Sequence, residues 1–241
     1  MKLHPGLTSL ALSCLFAIPA IAGDVAELNI LGFSEDGKLF AFEEFGVQDG
    51  SGFPYANRYY IDVETDKFVP GSPIRVRLDD EAASVEQART QAHEKGETII
   101  AEAELAANRG TLVGFNPPTE LSADPHRITV NPRPVFPPIG VPLEFRIEEI
   151  NVPQPDLCRE LAEAKGYRLT RVSLTPGQET ALLHQDVTIP TSRGCALGYQ
   201  FGAVQTFFPE SGPPVYAVLI AVRSFGFEGP DFRWIAVPGR F

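Results

Sequence analysis

Prolines in the middle of the chain limit its fold more than any other feature. Between Asn116 and Pro155 they include Pro117, Pro118, Pro132, Pro134, Pro137, Pro138, Pro142, Pro153 and Pro155. Each removes a backbone donor and fixes φ, so a long helix is excluded there and central-strand pairing is poor. One window escapes this limit. Val141, Leu143, Phe145 and Ile147 alternate with Pro142, Glu144, Arg146 and Glu148, the period-two pattern of a half-buried strand. The stretch reads as a linker between halves or as an extended segment crossing one core, and the strand inside it favours the second. The expectation is one β-rich domain over 23–241, crossed by a proline-rich segment at about 116–155.

Elsewhere the signals are mostly those of strands. Leu28–Leu31, Leu39–Phe45 and Arg58–Val63 are apolar runs separated by the Asp36-Gly37 turn and by a glycine-rich loop, Val47–Pro54. Glu64-Thr65-Asp66-Lys67 makes the next turn before Phe68-Val69, which completes a twisted antiparallel meander. From Asp79 the period changes to 3.6. Acids at Asp79, Asp80 and Glu81, and His93 and Lys95 before Gly96, predict a helix over about 80–95 with Val85, Ala88 and Ala92 inward. Ile99–Asn108 reads as a second helix or, at Ile99-Ile100, a strand start. Asp156 reads as the N-cap of a third helix bearing Leu157, Leu161 and Ala164, closed by Gly166. Tyr199–Phe208, Val215–Phe225 and Phe232–Val237 are the last strands. The fold class expected is mainly β with two or three helices, α+β being its near variant, built on twisted antiparallel sheets.

The first 22 residues have the layout of a secretory signal: Lys2, an apolar stretch from Leu7 to Ile18, and Ala20-Ile21-Ala22 as a small-x-small cleavage site. The apolar stretch falls short of the roughly 20 residues that span a bilayer, and no later run reaches that length. The mature chain is therefore expected to be periplasmic or secreted, without a membrane span. Cys14 falls inside the signal, leaving Cys158 and Cys195, an even number in an oxidising compartment, for which a disulfide is expected. The formal charge of −11 disfavours nucleic acid and anionic lipid as partners, since both demand a basic footprint.

The two ends of the chain echo each other. Leu39–Gly46 matches Leu219–Gly226 at a spacing of 180 residues, and Tyr59–Val63 matches Arg233–Val237 at 174, each pair reading as strand, Phe-Gly, glycine-rich loop, strand. Gly32–Phe42, with its Ser34-x-Asp36-Gly37-Lys38 turn, resembles one blade of the Tol-type β-propellers. No further Asp-Gly-Lys turns follow, so a blade-like N-terminal meander is implied and a complete propeller is not. Together the signal, this turn, the Phe45–Tyr55 run and Tyr59-Tyr60-Ile61-Asp62-Val63 are similar to an uncharacterised family of predicted secreted bacterial proteins. That resemblance implies export and assigns no catalytic residue.

Chemistry-bearing motifs are sparse. No Gly-x-Ser-x-Gly elbow, phosphate-cradling loop or zinc spacing occurs. His93, His126 and His184 read as solvated or capping residues, the last two in polar turns. Asp49-Gly50-Ser51-Gly52, with Asp36, Glu43 and Glu44 nearby, has oxygen ligands of the kind calcium takes but lacks the twelve-residue loop, so no metal and no cofactor is assigned. What stands out is the aromatic density beside the two glycine loops. Tyr55, Tyr59, Trp234 and Asp49 are the candidate binding residues of a non-enzymatic envelope protein, whose partner is an unknown envelope protein or small ligand. The alternatives are an exported hydrolase working around Asp49, Asp62 or His126, and a purely structural envelope protein.

Overall fold

A computed structural model describes residues 23–175 and 177–241, so the signal expected at 1–22 lies outside the described residues. Among the described residues, three antiparallel sheets and two α-helices make up the fold. The first sheet is the expected meander, β1 (Glu27–Phe33), β2 (Leu39–Val47), β3 (Pro54–Asp62) and β4 (Lys67–Phe68), with β5 (Ile74–Arg77) also pairing to β3. Helices α1 (Val85–Gly96) and α2 (Glu102–Ala107) follow, then β6 (Thr111–Phe115), β7 (Arg127–Val130), β8 (Leu143–Ile150), β9 (Gly166–Val172) and β10 (Ala181–Gln185). The chain closes on β11 (Ala196–Phe207), β12 (Val215–Ser224) and β13 (Asp231–Arg240). The second sheet runs β10-β9-β8-β7 and the third β13-β12-β11-β6; no barrel or propeller closes among the described residues.

Strand β12 explains how the layers stack. Val215–Val222 is an unbroken apolar run, and all eight of its residues are buried. Period two sends alternate side chains to opposite faces. Tyr216, Val218, Ile220 and Val222 pack with Phe145, Ile147, Tyr167 and Leu169 of the second sheet. Val215, Ala217, Leu219 and Ala221 pack with Phe33, Phe40, Phe42 and Tyr59 of the first. The third sheet is thus the middle layer. The outer face of the first sheet, through Leu31, Ala41, Ala56, Tyr60, Ile74 and Val76, is covered by Ala88, Ala92 and Leu105 of the helices, whose small residues allow close approach.

Local signals account for the turns. At the first hairpin Ser34 Oγ accepts the Lys38 and Leu39 N–H groups, Asp36 Oδ1 accepts the Lys38 N–H, and Gly37 takes φ +67, a left-handed conformation that suits glycine. The N- and C-terminal hairpins share more than sequence pattern. Leu39 faces Asp62 and Ala41 faces Tyr60 in one, and the matching Leu219 faces Ala236 and Ala221 faces Trp234 in the other. Their registers are the same. The two glycine loops also touch, Asp49 Oδ2 accepting the Glu228 N–H at 2.8 Å.

Four expectations are corrected. The first helix starts at Val85, because Ser84 and Gln87 form a reciprocal capping box that the acids at 79–81 do not. The second helix is confined to Glu102–Ala107. The third helix, with Asp156 as N-cap and Gly166 as its close, is only a 3-10 turn over Asp156–Cys158 that Pro155 caps, and Gly166 opens β9 instead. Leu157 and Leu161, its presumed inner face, are exposed; the turn is held by Cys158, which is bonded to Cys195, Cα atoms 5.4 Å apart. Finally, the proline-rich segment does hold a central strand. β8 pairs with β7 on one side and β9 on the other, and its prolines lie outside its bounds.

Candidate functional site

Edge strand β13 of the middle layer leaves a gap beside it in which the first and second sheets come together. A cavity of about 590 Å³ occupies that gap. Odd positions of β3 turn toward it by strand alternation, which brings Asn57, Tyr59 and Ile61 to its wall while Arg58 and Tyr60 face the helices. Phe42 and Glu44 come from β2, Asp66, Lys67 and Phe68 from the turn into β4, Arg75 from β5, and Tyr167 and His184 from the second sheet. β13 contributes Arg233, Trp234 and Ala236, and the segment after Pro190 adds Ser192 and Arg193.

The apolar wall is ordered by stacking and by one close approach. The rings of Phe42 and Tyr59 lie 4.6 Å apart, nearly parallel. Trp234 packs over Gly202, where a Cβ would lie 2.0 Å from the indole, and its Nε1–H donates to the Ala26 carbonyl at 2.8 Å. Glu44, almost wholly buried, is held by three donors: the Tyr59 hydroxyl at 2.7 Å, Asn57 Nδ2 at 3.0 Å and the Trp234 backbone N–H at 2.7 Å. Burial, with the Glu44 charge beside it, pushes the Tyr59 hydroxyl well above its usual range and keeps it a donor.

The rim is charged. Arg233 reaches Asp24 at 2.5 Å, and the same carboxylate accepts the Tyr55 hydroxyl at 3.1 Å. Burial raises the Asp24 pKa despite Arg233 and Tyr55. Arg193 donates to Asp186 Oδ2 at 2.6 Å, and His184 Nε2 lies 3.0 Å from Asp186 Oδ1. Burial works to raise Asp186, but the hydrogen bonds from His184 and Arg193 outweigh it and hold its pKa below the usual value. Asp66 has no such donor, and burial raises its pKa to about 6 against the opposing charges of His184 and Arg193. Arg75 and Lys67 have no carboxylate within 4.0 Å among the described residues.

The candidates named from the sequence fall in different places. Tyr59 and Trp234 line the cavity, both less than a tenth exposed. Tyr55 lines an adjoining hollow of about 410 Å³ that shares Asn57, Arg75 and Arg233 with it. Asp49 lines neither and tethers the C-terminal loop. Asp62 caps the turn after β3 by accepting from Glu64 and Thr65, and His126 faces Glu149 at 3.5 Å, so the residues suggested for hydrolysis do not converge. His184 is not in a polar turn but on β10, stacked on Tyr167 at 4.6 Å. The sequence reading missed Asp66, Arg75, His184 and Arg193 as wall residues; the alternation Ile74-Arg75-Val76-Arg77 was the one signal pointing to any of them.

Oxygen ligands are dispersed as well. Asp36 pairs with Lys38, Glu43 with Arg58 and Arg89, and Glu44 with the donors above. Among the described residues, one trio of metal-capable side chains, His93, Glu97 and Glu102, has ligand atoms within 4.8 Å. Glu102 there accepts Arg58 Nη1 at 2.6 Å and His93 faces Glu97 at 3.2 Å, so the three side chains already have protein partners where α1 meets α2.

A family model described as "Predicted secreted protein (DUF2259)" matches residues 41–240, and the chain belongs to that family. The family has no established function. No helix among the described residues is long and apolar enough to cross a membrane. No curated protein and no solved structure matches the chain.

Proposed function

We propose that this member of the predicted secreted DUF2259 family is a non-enzymatic binding module of the cell envelope or exterior, and that the cavity beside β13 takes a small organic ligand. The observation that carries this reading is the cavity itself. At about 590 Å³, with Phe42, Tyr59 and Trp234 on one wall and a few oriented polar groups at the rim, it has the size and mixed lining of a ligand site. Glu44, Asp24, Asp186 and His184 are already committed to protein partners, which favours binding over turnover. One folding unit over 23–241 belongs to the same proposal, supported by β12, which gives one face to each of two cores.

The test uses the chain from Gly23 and its Ala236→Phe and Ser224→Phe variants, each adding a ring at the cavity wall, which Ser224 at the end of β12 also lines. A fragment library screened by ligand-observed NMR is expected to yield binders to the natural chain that are lost in whichever variants keep its circular dichroism and melting temperature. Binders indifferent to a folded, cavity-filled variant, or no binders, would overturn the reading. Turnover in an esterase, phosphatase or glycosidase panel would restore the hydrolase alternative.

A further inference from the structure

The charge of the cavity lining runs against the charge of the chain. Acidic residues outnumber basic ones 31 to 20 overall, yet the lining holds Lys67, Arg75, Arg193 and Arg233 against the carboxylates of Glu44 and Asp66. Partners sort these groups further. Arg233 is engaged by Asp24 and Arg193 by Asp186, whereas Arg75 and Lys67 have no carboxylate within 4.0 Å among the described residues. Both oxygens of Glu44 are occupied by protein donors, so a cationic ligand would have to displace them. Asp66 lies 4.0 Å from His184, one carboxylate among the four basic side chains of the lining.

Resting on the binding reading above, we propose that the ligand is a small organic anion with a ring-sized apolar body. Its head sits at Arg75, and its body lies along Phe42, Tyr59 and Trp234. An arginine at the mouth of a partly water-excluding site gives a carboxylate a charge-assisted hydrogen bond that a neutral analogue cannot make.

Three probes of one shape separate charge from shape: 4-phenylbutyrate, 4-phenylbutyramide and 4-phenylbutylammonium, titrated by calorimetry and by the emission of Trp234, the chain's one tryptophan. The carboxylate is expected to bind at least about tenfold more tightly than the amide, and the ammonium most weakly. Arg75→Gln, on the exposed side of β5, is expected to bring the carboxylate down to the affinity of the amide while leaving the amide unchanged. Equal affinity for all three, or preference for the ammonium, would overturn the anion inference and leave the cavity a binding site. If none of the three binds while library fragments do, the proposed ligand class is wrong. If neither probes nor fragments bind, the binding reading itself falls.

Discussion

Asp66 Oδ2 and His184 Nδ1 face each other at 4.0 Å across the seam where the first and second sheets meet at the cavity. His184 is fixed there by Asp186 and by Tyr167, while Asp66 sits in a turn at φ +52.

That position makes stability depend on pH. Burial raises the folded-state pKa of Asp66 from 3.8 to about 6, with His184 and Arg193 opposing it. Between those values the folded chain holds a proton that the unfolded chain has lost, so stability falls as pH rises from 3.8 toward 6 and stays lowered above. Asp66→Asn, which tolerates the same left-handed backbone, is expected to be neutral near pH 4 and stabilising by about 1 kcal/mol at pH 8, after allowance for screening at this one-third-exposed side chain. Urea denaturation at both pH values checks this, and a variant less stable at pH 8 would contradict it.

Gly202 makes room for the indole of Trp234. A methyl there would overlap the ring, so Gly202→Ala is expected to cost about 3 kcal/mol and to shift Trp234 emission to the red as the ring is displaced. Unchanged emission and melting temperature would show that the ring does not lie where the packing places it.

Cys158 and Cys195 close a loop between chain segments 37 residues apart, and both lie in a small cluster with Ala164 and Ile189. Replacing both by alanine is expected to cost about 2–4 kcal/mol, measured as a lowered urea midpoint relative to the oxidised chain. Equal midpoints would mean that packing alone holds the 3-10 turn.

Much of the scaffold was readable from pattern. Val215–Phe225 read as a strand and is one, buried on both faces over Val215–Val222, and the two Phe-Gly hairpins that echo each other in sequence pair their matching residues alike. What failed was local pattern that tertiary structure overrules. Leu157 and Leu161 have helical spacing but stay exposed, because the chain leaves the 3-10 turn to enter β9 after the disulfide anchors it. Short strands such as β7 and β10 carry too few residues for a period to register. The charged wall residues were the hardest to foresee, since Arg75, Asp66, His184 and Arg193 meet only once three sheets are stacked. An aromatic beside a glycine loop says nothing about which layer will cover it.

The most direct measurement is a crystal of the chain from Gly23 soaked with 4-(4-bromophenyl)butyrate, with bromine located by its anomalous signal. A ligand seated as proposed places bromine among Phe42, Tyr59 and Trp234, with the carboxylate in hydrogen-bond contact with Arg75. A saturated crystal with no bromine in the cavity, or with the carboxylate turned away from Arg75, would contradict it.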